Sequence, residues 1–89
     1  GRTLVFHMAG GRVLESTGSL DSLSAELETY GNFLRPHRSF LVNMEYIQSV
    51  SYRGIRLSSL AEIPIPHGKL SEIKNRYLEY AFDRKQVVL

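Results

Sequence analysis

Three sets of side chains in this 89-residue chain have types that can do chemistry. His7, His37 and His67 can bind metals or move protons. They are spread evenly along the chain, on different elements, and none has a carboxylate partner at metal-ligand spacing. Ser39 lies close to His37, a pairing that nucleophilic catalysis uses, but no strand-turn-helix elbow with glycine surrounds it. With no glycine-rich phosphate loop and no Cys for a thiolate site or a disulfide, neither an enzyme nor a cofactor or metal is expected. The third set is basic and polar: Arg2, Arg35, Arg38, Ser39, Arg53 and Lys69. A guanidinium can form two parallel hydrogen bonds with guanine in the major groove. Lys and Ser hold phosphates and set register without reading sequence. Together these residues can supply a basic stripe, even though the formal net charge is only +2.

The bulk composition suits such a role without demanding it. The length is that of one small domain with a modest core. Hydrophobic residues at 43% and charged residues at 22% are ordinary for a soluble globular protein. No apolar run approaches a membrane span, and no membrane contact is expected. The opening Gly1-Arg2-Thr3-Leu4 lacks the layout of a signal peptide. The missing initiator Met points to a piece of a longer protein, and the absence of Cys is compatible with the cytoplasm, the location expected for it.

Short elements must position these side chains. Thr3 to Met8 is rich in strand formers, Ala9-Gly10-Gly11 is a turn, and Arg12 to Ser16 returns, so residues 2–17 predict a hairpin. Ser19 is a plausible cap for a helix over 19–30, with Leu20, Leu23, Leu27 and Tyr30 on one face and Gly31-Asn32 as its stop. Residues 33–35 and 39–42 predict strands, with Asn43 capping a single turn after them. Residues 47–52 alternate apolar and polar, Arg53-Gly54 turns, and residues 55–58 return. Residues 62–65 form another short strand, kept at a sheet edge by Pro64. Helical spacing resumes over 67–82, with Leu70, Ile73, Tyr77 and Tyr80 on one face. Tyr30, Phe33, Phe40, Tyr77 and Tyr80 are expected in or beside the core, and residues 83–89 have no assignment.

The most informative stretch is Phe33-Leu34-Arg35-Pro36-His37-Arg38-Ser39-Phe40-Leu41-Val42-Asn43. It is followed by Ile47-Gln48-Ser49-Val50, then by Ile63-Pro64-Ile65 ahead of the last helix. In order and spacing, from Thr3 to Phe82, this resembles the LytTR family of DNA-binding domains, the output modules of bacterial response regulators. The resemblance implies an α+β, mostly β fold. Small antiparallel sheets would form an elongated β sandwich, with one helix in the middle and one at the C-terminus. It also implies further N-terminal strands that this chain lacks; an open sheet edge, covered by self-association, is the expectation that follows. Residues 1–89 would be a single domain.

Function follows from the resemblance residue by residue. Three loops would enter successive major grooves of double-stranded DNA. Arg2 falls in the first. The second holds His37, Arg38 and Ser39, with Arg38 as the variable base reader and Ser39 meeting phosphate. The third is Pro66-His67-Gly68-Lys69, where many members have Ser-Arg; this chain departs from them there. Two copies would bind direct repeats in a promoter, and an upstream receiver or other regulatory domain would control them. Plain structural readings stand beside these. Arg38 can be a solvated arginine, and Arg2 can be disordered. Arg35 is as well suited to an ion pair with Glu45 or Glu62 as to a phosphate. His37 is read as a hydrogen-bonded structural residue, and Asn43 as a local cap. Lys69 opposes the helix dipole, a mild conflict that points to phosphate. The alternative function is a β-edge module for protein interaction or self-association, without DNA. The aromatic motifs of the common RNA modules are absent.

Overall fold

The computed structural model describes residues 2–83 and 87–89; the part of the unassigned tail at 84–86 lies outside them. Strands β1 (Thr3–His7) and β2 (Val13–Thr17) pair antiparallel, Thr3 opposite Thr17 and His7 opposite Val13. The intervening turn places Gly10 and Gly11 at φ 90° and 87°, a region that glycine enters freely. This hairpin is a sheet by itself.

Helix α1 (Leu20–Leu27) starts as expected, with the Ser22 N–H donating to the Ser19 hydroxyl at 3.3 Å. It ends earlier than expected, tightening into a 3-10 turn over Glu28–Tyr30 before Gly31, at φ 74°, ends the helical run. A 3-10 turn has three residues per turn instead of 3.6. Tyr30 is thereby swung off the leucine face and is 70% exposed, so it is not a core aromatic. Phe40, Tyr77 and Tyr80 do pack against the core.

Strands β3 (Phe33–His37) and β4 (Phe40–Asn43) form the second sheet. Leu34 pairs with Val42 and His37 with Phe40, so the register shifts by one residue between them. Arg35 and Pro36 together face Leu41, which is a bulge. Pro36 has no N–H to give to a ladder, and a bulge is one of the few places in a strand that accepts it. Asn43 caps the next 3-10 turn, Met44–Tyr46, as expected: its side-chain oxygen accepts from the Glu45 N–H at 3.0 Å and from the Asn32 amide at 3.1 Å.

Strands β5 (Ile47–Ser51), β6 (Gly54–Leu57) and β7 (Glu62–Ile63) make the third sheet, in that order. Tyr52 and Arg53 form the β5–β6 turn, one position earlier than expected. Strand β7 stops at Ile63 because Pro64 cannot donate to the ladder, and it lies at the sheet edge. Helix α2 (Leu70–Phe82) starts later than expected. Residues 66–69 are a turn closed by the Lys69 N–H on the Pro66 carbonyl at 3.1 Å, with Gly68 at the φ of 81° that a type II turn demands of its third residue.

The core is Leu34, Val42, Met44, Ile47, Ile55, Ile63 and Ile73, from β3 through α2. Among the described residues, seven strands in small antiparallel sheets with two helices give the mostly β, α+β architecture that the sequence predicts. The molecule measures 46 × 35 × 26 Å, so it is elongated. Among the described residues no helix is long and apolar enough to cross a membrane.

Candidate nucleic-acid interface

The β3–β4 connection is the shortest kind of hairpin. His37 pairs with Phe40, leaving Arg38 and Ser39 as the turn. Two-residue hairpin turns usually need a positive φ at one or both central residues. Neither Arg38 nor Ser39 has one, so side chains must hold the turn. The Ser39 N–H donates to His37 Nδ1 at 3.0 Å, which assigns that nitrogen as an acceptor. The His37 ring lies edge-on to Phe40 at 5.7 Å. His37 is thus hydrogen-bonded within its own turn and packed on Phe40.

Arg35 lies beneath this turn, re-aimed by the bulge. Its Nε donates to the His37 carbonyl at 3.2 Å and its Nη2 to the Arg38 carbonyl at 2.6 Å. Nη2 also pairs with Asp21 at 2.9 Å, and Nη1 reaches the Leu20 carbonyl at 3.5 Å. The carboxylate partner is thus Asp21, at the start of α1, not Glu45 or Glu62. Glu62 is taken by Arg56, directly opposite across β6 and β7, at 2.9 Å. Most of the Arg35 donors are turned inward and its side chain is only 24% exposed, which is poor placement for a phosphate ligand. Arg38 is the opposite: it is exposed, and among the described residues its guanidinium has no hydrogen-bond or ion-pair partner. Ser39 is exposed beside it.

The Arg38 turn faces the Pro66–Lys69 turn across a cleft of about 590 Å³. Leu34, Pro36 and Ile73 supply apolar lining, while Arg35, Arg38, Lys69 and Arg76 bring cations to it and Asp21 and Glu72 bring carboxylates. Lys69 is the N-cap of α2 without any side-chain capping bond; its ammonium sits 3.4 Å from Glu72, and both side chains are mostly exposed. Glu72 in the first turn offsets the unfavourable cation, and so exposed a pair is weak and readily exchanged for a phosphate. His67 is exposed at the tip of its turn, outside the cleft lining. Arg2 is apart from the cleft: it is exposed at the base of the hairpin, where its carbonyl accepts the Gly18 N–H at 3.0 Å. The structure thus brings Arg38, Pro66 and Lys69 to one cleft, with Ser39 and His67 outside its lining and Arg2 on a separate element.

Sequence reasoning missed Asp21 and Arg76. Asp21 was legible only as an acidic residue in a first helical turn. Arg76 donates to the Gly31 carbonyl at 2.9 Å, joining α2 to the end of the 3-10 turn after α1, and nothing local in the sequence marks that contact.

Comparison with known proteins gives the same family as the motif order. The LytTr DNA-binding domain family matches residues 1–78. A curated relative, the sensory transduction protein LytT of Oceanobacillus iheyensis, is 37% identical over 71 residues, covering 74% of this chain and 28% of that protein. The chain therefore spans little more than a quarter of the relative's length, at 28%. With its match over most of its length, the chain belongs to the LytTr DNA-binding domain family.

Proposed function

We propose that the chain is a sequence-specific binder of duplex DNA, the DNA-reading domain of a longer bacterial transcription regulator. Arg38 reads base edges in a major groove, and Ser39 meets an adjacent phosphate. His67 and Lys69 meet the duplex from the facing turn, with Lys69 on phosphate. Arg2 reaches it from the foot of the hairpin. The single observation that carries this reading is that the Arg38 turn and the Pro66–Lys69 turn line one cleft, so one duplex can meet both. Rigid strands presenting loop side chains are a common way to build such a surface. Two copies on direct repeats, and an upstream receiver or other regulatory domain, complete the arrangement in the full-length regulator.

Selection of a binding site from random duplex DNA tests the proposal. The chain should enrich one sequence, with affinity that falls steeply as salt rises because phosphate contacts release counterions. Arg38→Ala should cost about 1–3 kcal/mol on the selected duplex and relax specificity at one position. Failure to enrich any sequence would overturn the reading.

One observation favours a second reading, self-association through a β edge. Both edges of the β1–β2 sheet are unpaired among the described residues, and Val5, Met8, Val13 and Leu14 are each about half exposed, at 46–54%. Sedimentation without DNA separates the two: a second copy covering that edge predicts dimers at high concentration, and a strict monomer removes this reading.

A further inference from the structure

We infer that Arg35 is a positioning residue for base reading, holding the Arg38 turn in its reading shape and tying it to α1, with no contact to DNA of its own. The inference rests on the proposed role of Arg38. It deepens that role by naming what fixes the reader.

The argument starts from the turn. A two-residue hairpin loop without positive φ does not match the twist of its strands, so the Arg38–Ser39 loop lacks the backbone solution that such loops ordinarily use. Two side chains supply the missing order. His37 holds the Ser39 N–H from above, and the Arg35 guanidinium takes the carbonyls of His37 and Arg38 from below. A planar fork with fixed donor directions can hold two successive carbonyls at once, which a lysine ammonium on a flexible stem does not reproduce. The bulge at Arg35 and Pro36 aims the fork there. Pro36 is buried, which locks the strand on which the fork stands.

The same guanidinium reaches the Leu20 carbonyl and the Asp21 carboxylate in the first turn of α1. Asp21 is 90% exposed, so its ion pair adds little stability and serves as an orienting contact. The Arg38 turn is therefore referenced to α1 as well as to its own strands. A base reader needs this, because small displacements of a bidentate donor lose the match to the base edge. Four of the five guanidinium N–H groups are thus engaged within the protein, two on the turn carbonyls and two on α1.

A double-mutant cycle tests the inference, using this chain and two duplexes: the one it selects from a random pool, and one of unrelated sequence. Arg35→Lys keeps the charge. It should weaken binding to the selected duplex by about tenfold, as expected for loss of charge-assisted hydrogen bonds at a reading turn, and barely change binding to the unrelated one. The dependence of affinity on salt should stay as in the wild type. In the Arg38→Ala background the same substitution should cost less than about twofold, because residues acting as one unit are not additive. Hydrogen exchange without DNA should show the Ser39 amide opening at least about tenfold faster in Arg35→Lys, with the Met44 amide unchanged. If Arg35→Lys fails to fold, Asp21→Asn replaces it in the exchange experiment, where the Ser39 amide should again open faster, by a smaller factor.

An additive cycle, or a salt slope lowered by about one, would make Arg35 a direct phosphate ligand and overturn the inference. Unchanged exchange at Ser39 would also overturn it. If the wild-type chain selects no duplex, the DNA reading itself has failed, and the exchange result alone still decides whether Arg35 braces the turn.

Discussion

The β1–β2 hairpin and the body from β3 to α2 are built on opposite terms. In the body every sheet turns a face inward, and seven side chains from successive elements close over one another, with Met44 at 1% and Ile55 at 0% exposure. In the hairpin no residue is buried. Leu4 and Phe6 are half-buried on one face, Leu4 lying against Gly18, while Val5, His7 and Val13 share the other face and are exposed. A two-stranded ribbon is marginal in water without something to pack on. The body thus supplies the stability, and the hairpin is an arm carried on it. Both proposed reading turns of the cleft belong to the body, where a small displacement matters most, while Arg2 belongs to the arm.

The difference is open to direct attack. Ile55→Ala leaves a cavity in the centre of the body and should cost about 2–5 kcal/mol in a urea melt. A loss below about 1 kcal/mol would show that the body is not the source of stability. Gly54→Ala comes next. Its backbone lies at φ 132°, and an added Cβ would stand 2.6 Å from the Ile63 carbonyl oxygen at the β6–β7 junction. The clash and the strained backbone together should cost about 2–4 kcal/mol, read as a lower denaturation midpoint. Leu60 has the reverse problem: at φ 72° and 70% exposed it takes a left-handed conformation with no packing to offset it. Leu60→Gly should raise stability by up to about 1 kcal/mol. On the arm, Val13→Thr should change global stability by less than about 0.5 kcal/mol. A large loss there would join the arm to the body and dissolve the contrast.

Local signals made most of the fold legible. Alternation marked the strands, Ser19 and Asn43 marked their caps, and glycine marked the turns, because each of these acts within a few residues. Errors came where two local solutions share one pattern. The spacing from Leu27 to Tyr30 suits an α-helix, yet a 3-10 turn satisfies the same residues and sends Tyr30 outward. His67 and Lys69 looked helical, yet Gly68 made a turn ahead of α2. The candidate site was legible as residue types and motif order, but its assembly was not. Arg35 finds Asp21 and the Arg38 carbonyl only through the bulge and the docking of α1, and the facing of Arg38 with Lys69 depends on how α2 packs on β3. Those are tertiary facts, and no spacing along the chain encodes them.

The central claim is that the two turns bordering the cleft meet one duplex together. Titration of the ¹⁵N-labelled chain with its selected duplex, followed residue by residue, tests it most directly. The account predicts that the amides of Arg38, Ser39, His67 and Lys69 shift in concert with a single dissociation constant. Shifts confined to one turn, or to the β1–β2 arm with both turns unmoved, would contradict it.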